Sequence, residues 1–208
     1  MNPLANPAFP FLAQAQDTEV PFTGGERRKM TELAASLIFK SIGEDPTREG
    51  LLRTPERYTK AIEQILSGYE MSVDETIGKG VFAAEGAGLV TVQEVEFYSL
   101  CEHHMLPFWG TASVAYYPSQ KIVGLSKIPR LIEIFSRRLQ VQERLTHQVA
   151  EALKELVDPR AVAVRVKASH LCMMMRGVEK QRSQTVTETV FGLENLAPHE
   201  KERIWSAL

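Results

Sequence analysis

Cysteine is scarce in this chain, with only two in 208 residues, and histidine is nearly as rare, with five. Two cysteines are too few for the disulfide framework of a small secreted protein, and free thiols fit a reducing compartment. Net charge is also small, at -2. The chain therefore has no overall field to attract nucleic acid or an anionic membrane, and a polyanionic ligand would need a local basic cluster.

Long apolar runs are missing too. No run approaches the roughly 20 apolar residues that a membrane-spanning helix needs. The first 22 residues lack a basic start, and Pro3, Pro7 and Pro10 interrupt their apolar stretch, which is unlike a secretion signal. These absences predict a soluble cytoplasmic protein with no membrane partner and no nucleic-acid partner.

Hydrophobic periodicity divides the remaining sequence into helices and strands. Apolar spacing of helical period predicts helices at 26–42, 54–67, 128–137, 141–156 and 198–208. Alternation predicts strands at 89–97, 111–117, 121–124, 161–168 and 184–190. Strands that are interrupted by a helix pair indicate an α+β fold with an antiparallel sheet, not a doubly wound parallel one.

Three regions follow from this pattern. Residues 1–25, rich in proline, alanine and glutamine, predict a flexible N-terminal arm. Residues 26–88 form an N-terminal helical segment that ends in a glycine-containing loop, residues 68–88. Residues 89–208 carry the strands and the helix pair of the predicted α+β fold.

The scarce cysteines each lie close to histidine. Cys101 and His104 form a Cys-x-x-His pair, a spacing that lets a tight turn direct both side chains at one metal ion. Cys172 lies two residues after another histidine. Zinc accepts thiolate and imidazole ligands, and three ligands with one open position are typical of a catalytic zinc site. The alternative is that both cysteines act as small hydrophobic residues in the core, where free cysteines are usually found.

Two further histidines accompany these ligands. His103 adjoins one of them, and His170 precedes Cys172 by two, so on an extended segment His170 and Cys172 would face the same side. A near-neutral pKa makes both histidines candidate general acids or bases beside a metal ion. A supporting or core histidine is the alternative for each.

A basic cluster begins the predicted helix at 128–137. Ser126 can cap this helix, while Lys127 and Arg130 lie in its first turn, and Arg176 is a more distant cation. Cations usually avoid a helix N-terminus, whose partial charge is positive, so this placement favours a bound anion. The alternative is a set of solvated charges.

One acidic side chain begins the next helix. Glu143, preceded by Gln142, could accept two hydrogen bonds from a guanine-type edge. It could equally be a charge that favours the helix dipole. Nothing local decides between these interpretations.

Taken together, the stretches CEHHMLPFWG, VGLSKIPR, QVQERLT and HLCMMMRGVEKQRSQTVT strongly resemble those of the GTP cyclohydrolase I family. The upstream stretch EGLLRTPERY is similar to the helical N-terminal segment of the same family. The resemblance covers roughly residues 26–208 and leaves only the first two dozen outside it.

The resemblance implies a role for each matching position. The implied zinc ligands are Cys101, His104 and Cys172. The implied catalytic histidines are His103 and His170, with His170 protonating the imidazole ring of the purine. The implied substrate contacts are Glu143 and Gln142 for the guanine edge, Ser126, Lys127, Arg130 and Arg176 for ribose and triphosphate, and Arg57 lent by a neighbouring subunit.

The family's reaction and architecture are implied in the same way. The reaction converts GTP and water to 7,8-dihydroneopterin triphosphate and formate, the first step of tetrahydrofolate and pterin biosynthesis, with a zinc-bound water attacking C8. The fold would be the tunnelling fold, an antiparallel sheet that carries a helix pair, with sheets joined into a ring in a decamer of two pentamers.

Three alternatives stay open. Other tunnelling-fold enzymes, such as pyruvoyl-tetrahydropterin synthase or nitrile reductase, resemble the chain in fold but lack its cysteine and histidine set. A structural zinc protein could bind nucleotides without turning them over. The same ligands would also hold Fe(II) or Co(II).

Overall fold

The computed structural model describes residues 23–86 and 88–208. The predicted N-terminal arm lies almost entirely outside these described residues. The chain divides after Ile62 into two compact units. Among the residues described, no helix is long and apolar enough to cross a membrane.

The described residues of the first unit form helices. Helix α1 spans Gly24–Ser41. Helix α2 spans Thr54–Ile65 and therefore ends shortly after the division at Ile62. Helix α1 begins two residues before the predicted Glu26, because Thr23 caps it. The Thr23 hydroxyl accepts from the Glu26 amide, and the Glu26 carboxylate accepts from the Thr23 amide at 2.7 Å.

The second unit contains a five-stranded sheet. Its strands, in spatial order, are β5 (Leu139–Gln140), β2 (Val90–Cys101), β3 (Pro107–Tyr117), β6 (Ala161–His170) and β7 (Thr185–Phe191). The four long strands pair antiparallel, which matches the prediction. Strand β5 pairs parallel to β2, so the sheet is mixed and the prediction of a purely antiparallel sheet was wrong. Two residues are too short a strand for alternation to reveal.

The predicted loop at 68–88 also contains regular structure. A 3₁₀ turn at Ser67–Glu70 precedes helix α3 (Val73–Ile77) and strand β1 (Val81–Ala83). Strand β1 pairs antiparallel with β4 (Lys121–Val123) in a separate two-stranded sheet. The predicted strand at 121–124 therefore exists but lies outside the main sheet.

Two helices pack against the main sheet and confirm the α+β class. Helix α4 spans Lys127–Ser136 and helix α5 spans Gln142–Val157. The apolar stripe of α5 is buried, since Leu145, Val149 and Leu153 are at most 1% exposed. These side chains form one core with apolar residues of β2, β3 and β6. The short helix α6 (Leu171–Met174), a 3₁₀ turn at Leu193–Asn195 and helix α7 (Pro198–Ser206) complete the fold.

Strands β3 and β6 approach each other closely at Gly110. A β-carbon there would overlap the carbonyl oxygen of Lys167. Only glycine fits this point of the ladder without moving a strand. In the register of this ladder, Phe108 of β3 lies opposite His170 of β6.

Candidate metal centre and active site

The turn between β2 and β3 brings the first two predicted ligands together. The Cys101 amide donates to Leu106 O at 2.9 Å, and the Met105 amide donates to Cys101 O at 2.7 Å. Met105 adopts φ 52°, a left-handed conformation that completes the tight turn. Within it the Cys101 Sγ lies 3.8 Å from His104 Nδ1.

The third predicted ligand, Cys172, follows the end of β6. Strand β6 ends at His170, and Cys172 lies in the helical turn α6 that follows. The expectation that His170 and Cys172 share one extended segment was therefore wrong. The structure nevertheless brings Cys172 to the turn, because β6 is hydrogen-bonded to β3. The ligand atoms of Cys101, His104 and Cys172 all lie within 4.8 Å of one another.

This set of atoms fits a tetrahedral metal ion. Zinc–sulfur and zinc–nitrogen bonds place neighbouring ligand atoms roughly 3.5–3.8 Å apart, and the distance between Cys101 Sγ and His104 Nδ1 agrees. Burial, followed by the proximity of Cys101, raises the pKa of the Cys172 thiol. Two thiols this close ionise together most readily beside a cation, so the group suits a metal ion.

His103 and His104 differ in their surroundings. His103 Nδ1 is also near Cys101 Sγ, at 3.9 Å, but His103 is not part of the three-residue group that includes Cys172. Both histidines are exposed, so only membership of that group separates them. The two imidazole rings lie 6.2 Å apart and nearly perpendicular. The geometry therefore favours His104 as ligand and leaves His103 facing solvent beside it.

His170 is held on two sides. Its ring stacks on Phe108, which is fully buried, and its Nε2 lies 2.8 Å from Gln142 Oε1. Burial lowers the pKa of His170, and the charge of Glu143 partly opposes this shift. A half-buried imidazole with a lowered pKa is mostly neutral near pH 7. Sequence reasoning missed Phe108, because its contact depends on strand register.

Gln142, which the family resemblance implies is a substrate contact, is buried in the structure. It is 2% exposed, and both ends of its amide are engaged within the chain. This burial favours a supporting role beside His170 and does not favour direct contact with a guanine. Glu143, its neighbour, is exposed in the first turn of α5.

An ion pair absent from the sequence prediction connects the turn that carries Cys101 and His104 to α5. Arg144 donates to both carboxylate oxygens of Glu102, at 2.6 and 2.9 Å. Glu102 lies directly between Cys101 and His103. Such bidentate pairs restrict orientation as well as distance. No local pattern signals a contact between residues 42 positions apart.

The basic residues lie at the start of α4 and after α6. Ser126 and Arg130 are exposed, and Ser126 makes no capping hydrogen bond, so the predicted cap was wrong: Ser126 itself has helical angles. Lys127 Nζ donates to Thr76 O at 2.9 Å. Arg176 is exposed near Cys172, whose pKa its charge lowers slightly. Arg57 is exposed on α2 in the first unit.

The sequence matches a family model described as GTP cyclohydrolase I over residues 31–208. A GTP cyclohydrolase 1 from Leptospira biflexa is 53% identical over 161 residues, which cover 77% of this chain and 88% of that protein. The Deinococcus radiodurans protein of the same name is 53% identical over 168 residues, covering 81% of this chain and 78% of that protein.

A third GTP cyclohydrolase 1, from Chlorobaculum tepidum, is 52% identical over 163 residues, covering 78% of this chain and 72% of that protein. Among solved structures, the archaeosine synthase QueF-Like in its apo form is similar with a TM-score of 0.42 and 19% identity. That likeness covers 52% of this chain and 97% of the other. It is too distant to bear on the fold, whereas the family match confirms the resemblance drawn from the motifs.

Proposed function

This chain belongs to the GTP cyclohydrolase I family, and we propose that it converts GTP and water to 7,8-dihydroneopterin triphosphate and formate. One observation carries the proposal. Two thiols and an imidazole lie within 4.8 Å of one another, and a further histidine, His170, ends the strand that leads to Cys172. A metal-binding group beside an unligated histidine is the arrangement that hydrolysis of the purine ring requires.

The metal would be held by Cys101, His104 and Cys172, and we propose zinc because thiolate and imidazole suit it. Bound there, it would supply a Lewis acid that makes hydroxide available near neutral pH for attack on C8. Iron(II) and cobalt(II) accept the same ligands and are the alternatives.

The chain's own residues perform the proton transfers and hold the substrate. His170 would protonate the imidazole ring of the purine as its bond to C8 breaks, and His103 would act as the second acid or base. Glu143 would accept two hydrogen bonds from the guanine edge, which distinguishes guanine from adenine. Ribose and triphosphate would contact Ser126, Lys127, Arg130 and Arg176.

A ring of subunits would complete the site. We propose the tunnelling fold and a decamer of two pentamers, in which Arg57 of a neighbouring copy contacts the triphosphate. Two observations support assembly: strand β7 forms an open edge of the described sheet, and one chain offers few cations for a triphosphate. Residues 26–88 would serve as the helical segment and residues 89–208 as the catalytic domain. The two metal-binding thiols also favour the reducing cytoplasm.

A GTP turnover assay tests the activity. Purified zinc-loaded protein is incubated with GTP, and the oxidised product is followed by pterin fluorescence, with ATP and Cys172→Ala protein as controls. Fluorescence only with GTP and the unmodified chain would support the proposal. Tight GTP binding without product would instead indicate a nucleotide-binding zinc protein. The absence of both would favour another pterin or purine enzyme.

A further inference from the structure

The side-chain amide of Gln142 has only one chemically reasonable orientation. Its nitrogen lies 3.0 Å from two main-chain carbonyl oxygens, Val166 O on β6 and Thr185 O on β7. Carbonyl oxygens only accept hydrogen bonds, so the NH₂ group must face them. The reverse orientation would place an amide oxygen against two carbonyl oxygens inside the protein, which is strongly unfavourable.

Two threonines independently support this orientation. The Thr146 hydroxyl donates to the main-chain carbonyl oxygen of Gln142 at 2.8 Å. Because its proton is used there, Thr146 Oγ1 can only accept from Thr187 Oγ1, 2.6 Å away. The Thr187 hydroxyl therefore donates its proton to Thr146 Oγ1. The Thr187 oxygen accepts a hydrogen bond from Gln142 Nε2, which is 3.2 Å away. Thr187 therefore has no proton left for an amide oxygen of Gln142, and the two N–H groups of Gln142 are shared among Val166 O, Thr185 O and Thr187 Oγ1.

The amide oxygen of Gln142 therefore faces His170, whose Nε2 is 2.8 Å away. An amide oxygen cannot donate, so His170 Nε2 must carry a proton. We propose that Gln142 is a positioning residue, which holds His170 in the Nε2-protonated tautomer and leaves Nδ1 as the ring atom that exchanges protons with the substrate.

The stack on Phe108 complements this restraint. Gln142 fixes one edge of the imidazole, while the Phe108 ring covers one of its faces at 4.6 Å. Among residues 23–86 and 88–208, no group hydrogen-bonds to His170 Nδ1. The inference rests on the proposed function in one respect: Nδ1, which is unprotonated in the resting ring, takes a proton from the water that attacks C8 and passes it to the purine nitrogen that leaves C8. Gln142 Oε1 keeps its hydrogen bond throughout, since Nε2 stays protonated in both states of the ring.

Kinetics of three variants test the positioning role. Gln142→Met keeps the side-chain length and removes every amide hydrogen bond, and we expect kcat to fall roughly 10–100-fold while the KM for GTP changes little and zinc is retained. Thr187→Val removes one support of Gln142 without reaching His170, and kcat should fall less. Thr189→Val, the same change two residues along the same face of β7, is the matched control and should leave kcat unchanged.

Nitrogen-15 NMR of histidine-labelled, zinc-loaded protein reads the tautomer directly, with His170 assigned from the signals that disappear in His170→Asn. We expect a protonated Nε2 and an unprotonated Nδ1 in the wild type, and a mixture of tautomers in Gln142→Met and, more weakly, in Thr187→Val. The wild-type spectrum remains informative even if Gln142→Met does not fold.

Three results would overturn the inference: a proton on Nδ1 of neutral His170, an unaltered kcat in folded Gln142→Met, or a rise in KM with unchanged kcat. The last would make Gln142 a substrate contact. Failure of the proposed function is distinguishable. Wild-type protein without GTP turnover but with His170 protonated on Nε2 would refute the cyclohydrolase activity and preserve the role of Gln142 as the group that sets the tautomer.

Discussion

The imidazole of His170 lies flat against the phenyl ring of Phe108, with centroids 4.6 Å apart and planes 2° apart. Strand pairing produces this contact, because the two residues are opposite one another in the β3–β6 ladder. Phe108 also packs edge-on against Phe97, at 5.9 Å. One buried aromatic ring therefore links the hydrophobic core to the proposed proton-transfer residue.

Phe108→Leu is expected to reduce both stability and turnover. Loss of the aromatic contacts should cost about 0.5–1.5 kcal/mol of unfolding free energy. The freed imidazole should lower kcat roughly tenfold, since a misplaced catalytic group loses much of its effect. Denaturant unfolding and steady-state kinetics with GTP measure the two effects.

Phe97→Leu is the matched control for that change. It removes the same type of side chain from the same aromatic pair but does not touch His170. It should lower stability by a similar amount and leave kcat near the wild-type value. Equal losses of kcat in both variants would mean that turnover follows core packing, and the stack would have no specific role.

The turn that carries Cys101 and His104 shows how much of the site the sequence could predict. Cys101 and His104 are three residues apart, and their proximity depends only on a local turn, so the spacing alone was sufficient. Cys172 was predicted from the scarcity of cysteine, although it lies on a helical turn and not on the extended segment expected. Local chemistry and composition therefore located the three side chains that the structure groups together.

The supports of His170 could not be predicted in this way. Gln142 is 28 positions from His170, and their contact depends on how α5 begins over the ends of β6 and β7. The sequence placed Gln142 on the substrate side because nothing local indicates which face of the first helical turn is buried. The two-residue strand β5 was missed for a related reason, since its pairing with β2 is decided by the path of α4.

Metal content separates the ligands from the other histidines. His104→Ala should lose most of its zinc, because one of only three proposed protein ligands is removed, whereas His103→Ala and His170→Ala should retain it. Zinc analysis of the purified variants measures this. His147→Ala, an exposed histidine paired with Glu151 on α5, is the control and should keep both zinc and activity.

Two outcomes would require a different site. Zinc retained in His104→Ala but lost in His103→Ala would exchange the roles of the neighbouring histidines. Zinc lost in His170→Ala would make that residue a fourth ligand. The coordination sphere would then be closed, and a hydrolytic role for the metal would be hard to maintain.

Arg130→Ala should weaken binding of GTP far more than binding of guanosine, because the contact removed is to phosphate. We expect a loss of about 1.5–3 kcal/mol for GTP, measured by calorimetry on zinc-loaded protein. Lys121→Ala, an exposed cation on β4, is the control and should bind both ligands normally. Equal losses for GTP and guanosine in Arg130→Ala would indicate a structural role.

Lys127 requires a substitution other than alanine to test its contact with phosphate. Its ammonium donates to Thr76 O, and its stem lies close to Gly80, so an alanine would also disturb the packing of α3. Lys127→Met keeps most of the stem and removes the charge. It should reduce the affinity for GTP with little change for guanosine, and an unchanged affinity for GTP would remove Lys127 from the phosphate site.

Glu200 should make stability depend on pH through one ion pair. Arg160 donates to both of its carboxylate oxygens at 2.9 Å, and the Ala197 amide donates to it as well. These bonds, that to Arg160 foremost, hold the pKa of Glu200 below its ordinary value of 4.5. A lowered folded-state pKa means stabilisation that is complete above about pH 4.5 and is lost as the pH falls through the folded-state pKa.

Glu200→Gln should therefore lower Tm at pH 7, and the difference in Tm from wild type should shrink below about pH 4.5. Glu202→Gln, an exposed position on the same helix, should differ little from wild type at either pH. A Glu200→Gln deficit that is as large at pH 3.5 as at pH 7 would mean that packing of α7, and not the charged pair, sets the loss.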